Sequence, residues 1–258
     1  MRWAWRCVVL VAGIGGWQLW ASAERSPFFP PPSAIATRMH RLWFSGPVTH
    51  LFLTTDAIGN IAPSLGRVLA GLAIATAVGL PLGIALGRSP VVTSYLNPLL
   101  QFARALPVVT MAPVFIVLFK IGTQMEVATI AFGTVWPILL NTIDGAATVD
   151  PVQLETGRAF RLTPWQRLAW VIIPAALPKA FAGFRLSLSL SLILMVFAEL
   201  VGSSNGIGYE MSNAANAFDM TFLWSTIVLL GILGYLLNAL LGGAERLVLG
   251  WHTDRGRD

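Results

Sequence analysis

Seven stretches of the chain, 7–23, 68–87, 89–103, 105–119, 127–143, 186–198 and 220–244, contain no charged residue. No other feature limits the possible folds as tightly. A charge at the centre of a bilayer costs about 2.5 to 3.5 kcal/mol on insertion scales, so charges mark where crossings end. A crossing helix needs about 20 residues, and 68–87 and 220–244 reach that length outright. The shorter runs 105–119 and 186–198 need flanking residues, with Arg104, Lys120 and Arg185 reaching to the surface from helix ends. Ser89-Pro90 and Asn97-Pro98 make 89–103 read as a turn leading into the next helix. The pattern predicts an all-α integral membrane protein, one domain over 1–258, with six transmembrane helices at roughly 5–22, 66–88, 99–120, 126–146, 181–201 and 222–244.

Composition agrees and removes several functions. The chain is 55% hydrophobic and 11% charged, against about 25% charged for a soluble domain. Its net charge of +5 comes from basic residues scattered between apolar runs, which is not the continuous basic surface that nucleic acid needs. Cys7 is alone, so no internal disulfide forms, and His40, His50 and His252 lack metal-ligand spacing. Neither Lys120 nor Lys179 follows a glycine, so no Walker A loop is present to hold ATP.

An even number of crossings puts both termini on one side. With both inside, 12 of the 17 basic residues lie inside and 5 outside, which satisfies the positive-inside rule. Residues 23–65 then form an outer segment with an extended lead-in at Pro30-Pro31-Pro32, a short helix near 33–44 and another near 47–60, while 148–180 forms an inner loop. Arg2, Arg6 and Ala21-Ser22-Ala23 also fit a cleaved signal peptide, whereas Trp5, Trp17 and Trp20 fit an anchored helix.

Local patterns add detail. Gly71, Ala75, Gly79, Gly83 and Gly87 recur every four residues and line one helix face for close packing. RLSLSLSLIL (185–194) alternates like a strand, but an open strand in lipid leaves its backbone unsatisfied, so it reads as a helix. Ser187 and Ser191 then share a face and Ser189 points elsewhere; such serines usually bond back to their own backbone, with lining of a pathway as the alternative. Glu199, an acid inside an apolar helix, is either functional or a cap for the following GSSNGIG turn.

The inner loop is the densest in signals. Asp150-Pro151-Val152-Gln153 and Thr163-Pro164-Trp165-Gln166 both carry capping-box chemistry with proline at the first helical position. They predict one helix over about 151–161, a bend, and a second over about 164–173 that Pro174 ends. Trp165, Leu168, Ala169 and Ile172 fall on one face of the second. Such a pair either rests on the headgroups or acts as a stiff knob that a partner pushes.

Residues 155–211 resemble the membrane subunits of bacterial ABC importers, whose inner loop carries a signature opening Glu-Ala-Ala, with a glycine four positions later, and closing on aliphatic-Pro. PSLGRVLAG (63–71), PLGIALG (81–87), ARALPVVTMAPVFIVLFKIG (103–122) and FAELVGSSNGIGYEM (197–211) are similar to the nitrate, sulfonate and taurine branch. Here Glu155 holds the signature Glu, Thr156 and Gly157 stand at the Ala-Ala places, Arg161 falls at the glycine, and Ile172-Ile173-Pro174 closes the motif. A glycine there would adopt positive φ freely and arginine does not, so the bend is expected to use ordinary dihedrals or to lie elsewhere.

The resemblance implies a type I importer permease in the bacterial inner membrane, not an enzyme. It also implies a second permease copy as a homodimer, two ATPase subunits holding ATP and Mg, and a periplasmic solute-binding protein. Glu155, Gly157, Arg161, Pro164, Trp165, Arg167 and Pro174 become ATPase-coupling candidates, and Glu199, Asn141 and Trp136 pathway or gate candidates. Because an oxyanion avoids a bare carboxylate, Glu199 is expected to gate or brace rather than bind. A secondary transporter or channel is the alternative, but it would need a charged relay or paired broken helices in repeated halves. A membrane scaffold would leave the knob unexplained.

Overall fold

The computed structural model describes residues 2–24, 26–50 and 52–250, and every element in it is helical. The expected inner C-terminal tail beyond Gly250, with His252, Arg255 and Arg257, lies outside the described residues. The helices are α1 (Arg2–Glu24), α2 (Pro32–Trp43), α3 (Thr55–Gly87), α4 (Pro90–Ala105), α5 (Val108–Phe119), α6 (Thr123–Ala147), α7 (Pro151–Ala159), α8 (Pro164–Arg167), α9 (Ile173–Gly202), α10 (Ile207–Asn216) and α11 (Met220–Val248). Among the described residues four helical bodies are long and apolar enough to cross a membrane: those ending at Gly87, Ala147, Gly202 and Val248. The bent pair α4–α5 makes a fifth. The sixth expected crossing corresponds to α1, which is not among the spans found in the described residues.

One unit comprises residues up to Leu65 and Ser203–Leu233. Its core is Trp43, Ala57 and Leu229, with Met39, Leu42, Ile61 and Phe222 around them. The helix expected near 47–60 is instead a single 3-10 turn, Val48–His50, followed by the start of α3. Thr54 sets that start, because its hydroxyl accepts from Ala57 N at 3.1 Å and donates to Leu42 O at 2.6 Å. At the other end of this unit, Asn60 Oδ1 accepts from Gly206 N at 2.8 Å and Ser64 Oγ from Ile207 N at 2.9 Å. The first turn of α10 is thus capped by α3, and Gly206 has a φ of 118°, a conformation that favours glycine.

The other unit comprises Gly66–Gly202 and the chain from Gly234. The glycine stripe seats α3 on α6. A Cβ on Gly71 would lie 2.5 Å from Ile130, one on Gly79 3.1 Å from Ile138, and one on Gly83 2.6 Å from Thr142. The partner number rises in step with the glycine number, so α3 and α6 run parallel, and α4–α5 has to travel back along them. α9 packs on α6 in the opposite sense, with Gly183 against Pro137 O and Gly145 against Ala176 O. Ser187 and Ser191 are buried and Ser189 is exposed, as a helix requires. Ser191 and Ser189 bond within α9, but Ser187 Oγ donates across to Thr134 O at 2.6 Å. The expected self-bond is replaced there by an interhelical one.

Two prolines are read differently by the fold. The expected turn at 89–103 is helix from Pro90 onward, and the expected span 99–120 is broken, with α4 and α5 meeting at 84°. Pro107 causes the break by forcing Leu106 out of the helical region, to φ −65°, ψ 121°. Conversely, Pro174 does not end a helix. A π-helical turn, Leu168–Ile172, precedes it, and Ile173 N donates five residues back to Leu168 O. That wider turn relieves the clash a proline ring makes with the carbonyl four residues earlier, so helical structure is unbroken from Pro164 to Gly202.

Candidate functional site

The loop between α6 and α9 is a rigid knob. Asp150 Oδ1 accepts from Val152 N at 2.8 Å and starts α7 behind Pro151. Asp150 bonds the second helical residue rather than the third, an N-cap and not the expected capping box, whereas the box of α8 is complete: Thr163 Oγ1 accepts from Gln166 N at 3.3 Å, and Gln166 Oε1 from Thr163 N at 2.8 Å. Between them Leu162 N donates to Gly157 O at 3.0 Å and Arg161 N to Arg158 O at 2.9 Å. These are the two bonds of a Schellman motif, and they place Arg161 at the position glycine usually takes. Arg161 has a φ of 53°. The bend therefore lies at the signature position and uses the left-handed region, contrary to the expectation from its side chain.

Ala146, Val149, Ile172 and Ala176 form a buried cluster joined by Leu154, Leu168 and Val171, which bolts the knob to the ends of α6 and α9. The expected apolar face of the second helix is split. Leu168 and Ile172 turn inward, while Trp165 is 79% exposed and Ala169 is exposed, because the π turn shifts the helical phase. Phe160 and Trp170 are also exposed. A groove of about 790 Å³ runs between α7 and the α8–α9 body, lined by Val152, Thr156, Phe160, Leu162, Trp170 and Pro174.

Each coupling candidate can now be placed. Glu155, Arg161, Pro164 and Trp165 are exposed; Arg167 and Pro174 are half-buried at the base. Gly157 is buried, yet a Cβ there would meet Arg167 Cγ at 3.4 Å and Leu162 Cδ1 at 3.6 Å, ordinary contacts. The same end of the unit holds Lys179, bound to Asp144 at 2.6 Å and to Thr148 at 2.9 Å, and Arg88, which donates to Ala146 O.

The three pathway candidates separate. Asn141 Nδ2 donates to Pro137 O at 2.9 Å within its own helix, and Trp136 stands edge-on to Phe132 with ring centroids 5.8 Å apart. Glu199 is 1% exposed and accepts from Arg67 Nη1 at 2.6 Å, while Arg67 also pairs through Nε with the fully buried Glu126. It caps no turn. Arg67 and Glu126 escaped the sequence reading, although Arg67, Glu126 and Glu199 each edge an apolar run expected to end on the outer side.

Arg67 lies twenty residues before Gly87 on α3, Glu126 twenty before Ala146 on α6, and Glu199 twenty after Lys179 on α9. At 1.5 Å per residue each interval is about 30 Å, the thickness of the hydrocarbon slab. The buried ion cluster thus marks one face of the slab and the knob the other.

A family profile described as binding-protein-dependent transport system inner membrane component matches residues 79–248. A Bacillus subtilis permease assigned to aliphatic sulfonates transport is 32% identical over 79% of this chain and 74% of its own length. The nitrate import permease of Synechocystis is 29% identical over 90% of this chain and 84% of its own. Among solved structures, a methionine ABC transporter in an inward-facing conformation superposes with a TM-score of 0.63 at 20% identity, covering 72% of this chain and 93% of that one.

Proposed function

The chain belongs to the family of binding-protein-dependent transport system inner membrane components, and from that membership, as the permease subunit of an ABC importer, we propose how it works. It sits in a bacterial inner membrane with the knob on the cytoplasmic face and pairs with a second copy. Two separate ATPase subunits, which carry ATP and Mg, seat on the two knobs, and a periplasmic binding protein delivers a small oxyanion such as an alkylsulfonate, taurine or nitrate.

The observation that carries this reading is the unbroken helical body from Pro164 to Gly202. Its first turns form the knob and its last turn holds Glu199 in the ion cluster. Exposed Trp165 and Phe160 offer aromatic anchors for a docked partner. A push on them has no flexible joint to absorb it, so it reaches the opposite face of the slab as movement of α9. Glu155, Arg161 and Arg167 supply charge for the rim of that contact, and Arg161 holds the angle between α7 and α8. Glu199 braces α9 against α3 and α6. The path of the oxyanion stays clear of that carboxylate, which is almost fully buried and held on Arg67.

Proteoliposomes containing this chain, its ATPase subunits and the binding protein test the proposal. The purified chain alone is expected to hydrolyse no ATP, the complex to hydrolyse ATP and import labelled taurine or nitrate, and Glu155→Ala to insert normally yet import little. Full import by Glu155→Ala would remove the lever role.

A further inference from the structure

Helix α4 carries Thr93, Asn97, Gln101 and Arg104 at steps of four, four and three, one face of a helix. No residue of α4 is buried, and Asn97, Gln101 and Arg104 are exposed. Their depth follows from a contact at the elbow. Val108, the first residue of α5, stands 3.1 Å from where a Gly133 Cβ would lie. Gly133 is seven residues from Glu126 and thirteen from Ala146 along α6, or about 10 Å and about 20 Å from the two faces of the slab. Arg104 is four residues before Val108, so it stands well inside the hydrocarbon layer rather than at the inner surface where the sequence placed it.

Two independent requirements meet at that point. A charged side chain at this depth has to face a partner or a water-filled cavity, and among the described residues no carboxylate pairs with Arg104. Irregular backbone at membrane depth is tolerated only inside protein or beside a cavity, and the chain is broken at Leu106-Pro107, two residues on. The chemistry of the stripe then selects its ligand. Gln101 Nε2 donates to Asn97 Oδ1 at 3.3 Å, so the Asn97 carbonyl is occupied and its amide NH₂ remains to donate beside the guanidinium. A cation with amide donors and no acid on the same face suits a flat oxyanion, which arginine binds through two parallel N–H bonds.

We propose that Arg104, with Gln101 and Asn97, is an oxyanion-contacting station on the solute path, at the elbow between α4 and α5. It rests on the importer reading above and assigns that path to α4, whose first half the sequence had taken for a turn.

Cysteine accessibility tests it in native membranes holding the assembled complex, in a Cys7→Ser background. Arg104→Cys is expected to be labelled by water-soluble sulfonatoethyl methanethiosulfonate without unfolding. Protection from that reagent and from its trimethylammonium analogue, with full labelling after denaturation, would overturn the proposal. Gln101→Cys should react about tenfold faster with the anionic than the cationic reagent, since a fixed charge focuses its counter-ion. That preference should vanish on adding Arg104→Gln; equal rates with Arg104 in place would remove the anion assignment. ATP hydrolysis and import by the wild-type complex, measured in the same vesicles, test the importer reading separately.

Discussion

Arg67 and Glu199 are separated by 132 positions and stand 2.6 Å apart, both almost fully buried, with Glu126 on the same guanidinium. One cation therefore ties three helices, α3, α6 and α9, at one face of the slab. Removing one partner of a buried pair costs about 3 to 5 kcal/mol, because the other charge is left without compensation. Arg67→Leu strands two carboxylates and should lower the melting temperature in detergent sharply, read by tryptophan fluorescence. Glu199→Gln should cost less, since Glu126 still holds the arginine. Equal melting of Arg67→Leu and wild type would show that the cluster is not a brace.

The left-handed residue at the knob gives a prediction of opposite sign. A non-glycine residue in that region costs about 1 to 2 kcal/mol, and Arg161 occupies it at φ 53°. Arg161→Gly should slow proteolysis between α7 and α8 while keeping the bend. Faster cleavage would mean that the arginine side chain contributes more than its backbone costs.

Two glycines should respond to alanine in contrasting ways. At Gly183 a Cβ would meet Pro137 O at 2.5 Å, a backbone atom that cannot swing aside. Overpacking of that kind costs about 1 to 3 kcal/mol, so Gly183→Ala should loosen the α6–α9 seam. Gly157→Ala has room and should gain roughly 0.5 to 1 kcal/mol from helix propensity. Thermal melts of the two variants, run side by side, check both signs.

Stability should also depend on pH through Glu210 of α10. Burial raises its carboxyl above the usual value of 4.5, the hydrogen bond from Asn60 lowers it, and the nearby charge of Asp56 raises it again. A folded value above the unfolded one means the native state holds the proton longer, so this contribution is full at low pH and is lost as pH rises from 4.5 through the raised value. Glu210→Gln should melt less steeply than wild type as pH rises above 4.5. Identical pH profiles would count against the shift.

Much of the architecture is written in short-range patterns. The charge-free runs locate α3, α6, α9 and α11, and Asp150-Pro151 and Thr163-Pro164 locate the starts of α7 and α8, because desolvation and end-capping act on neighbouring residues. What resisted reading depends on distant or compensating geometry. Pro174 carries a stop signal, and only the wider turn before it cancels that signal. Arg161 argues against a left-handed bend by its side chain, yet two backbone bonds hold it there. The Arg67 cluster needs three helices in register before any of its charges is satisfied. Arg104 looks like a boundary charge until the depth of Val108 is fixed by Gly133.

The parallel seating of α3 on α6 constrains how the protein is made. Each contact along that seam, such as Gly71 with Ile130, joins residues 59 positions apart. A nascent chain emerging from the ribosome cannot close it as a simple hairpin, since α4 and α5 have first to return across the bilayer. Insertion of the third hydrophobic segment thus comes before assembly of the small-residue seam, and a chain arrested before α6 would leave a column of glycines facing lipid alone.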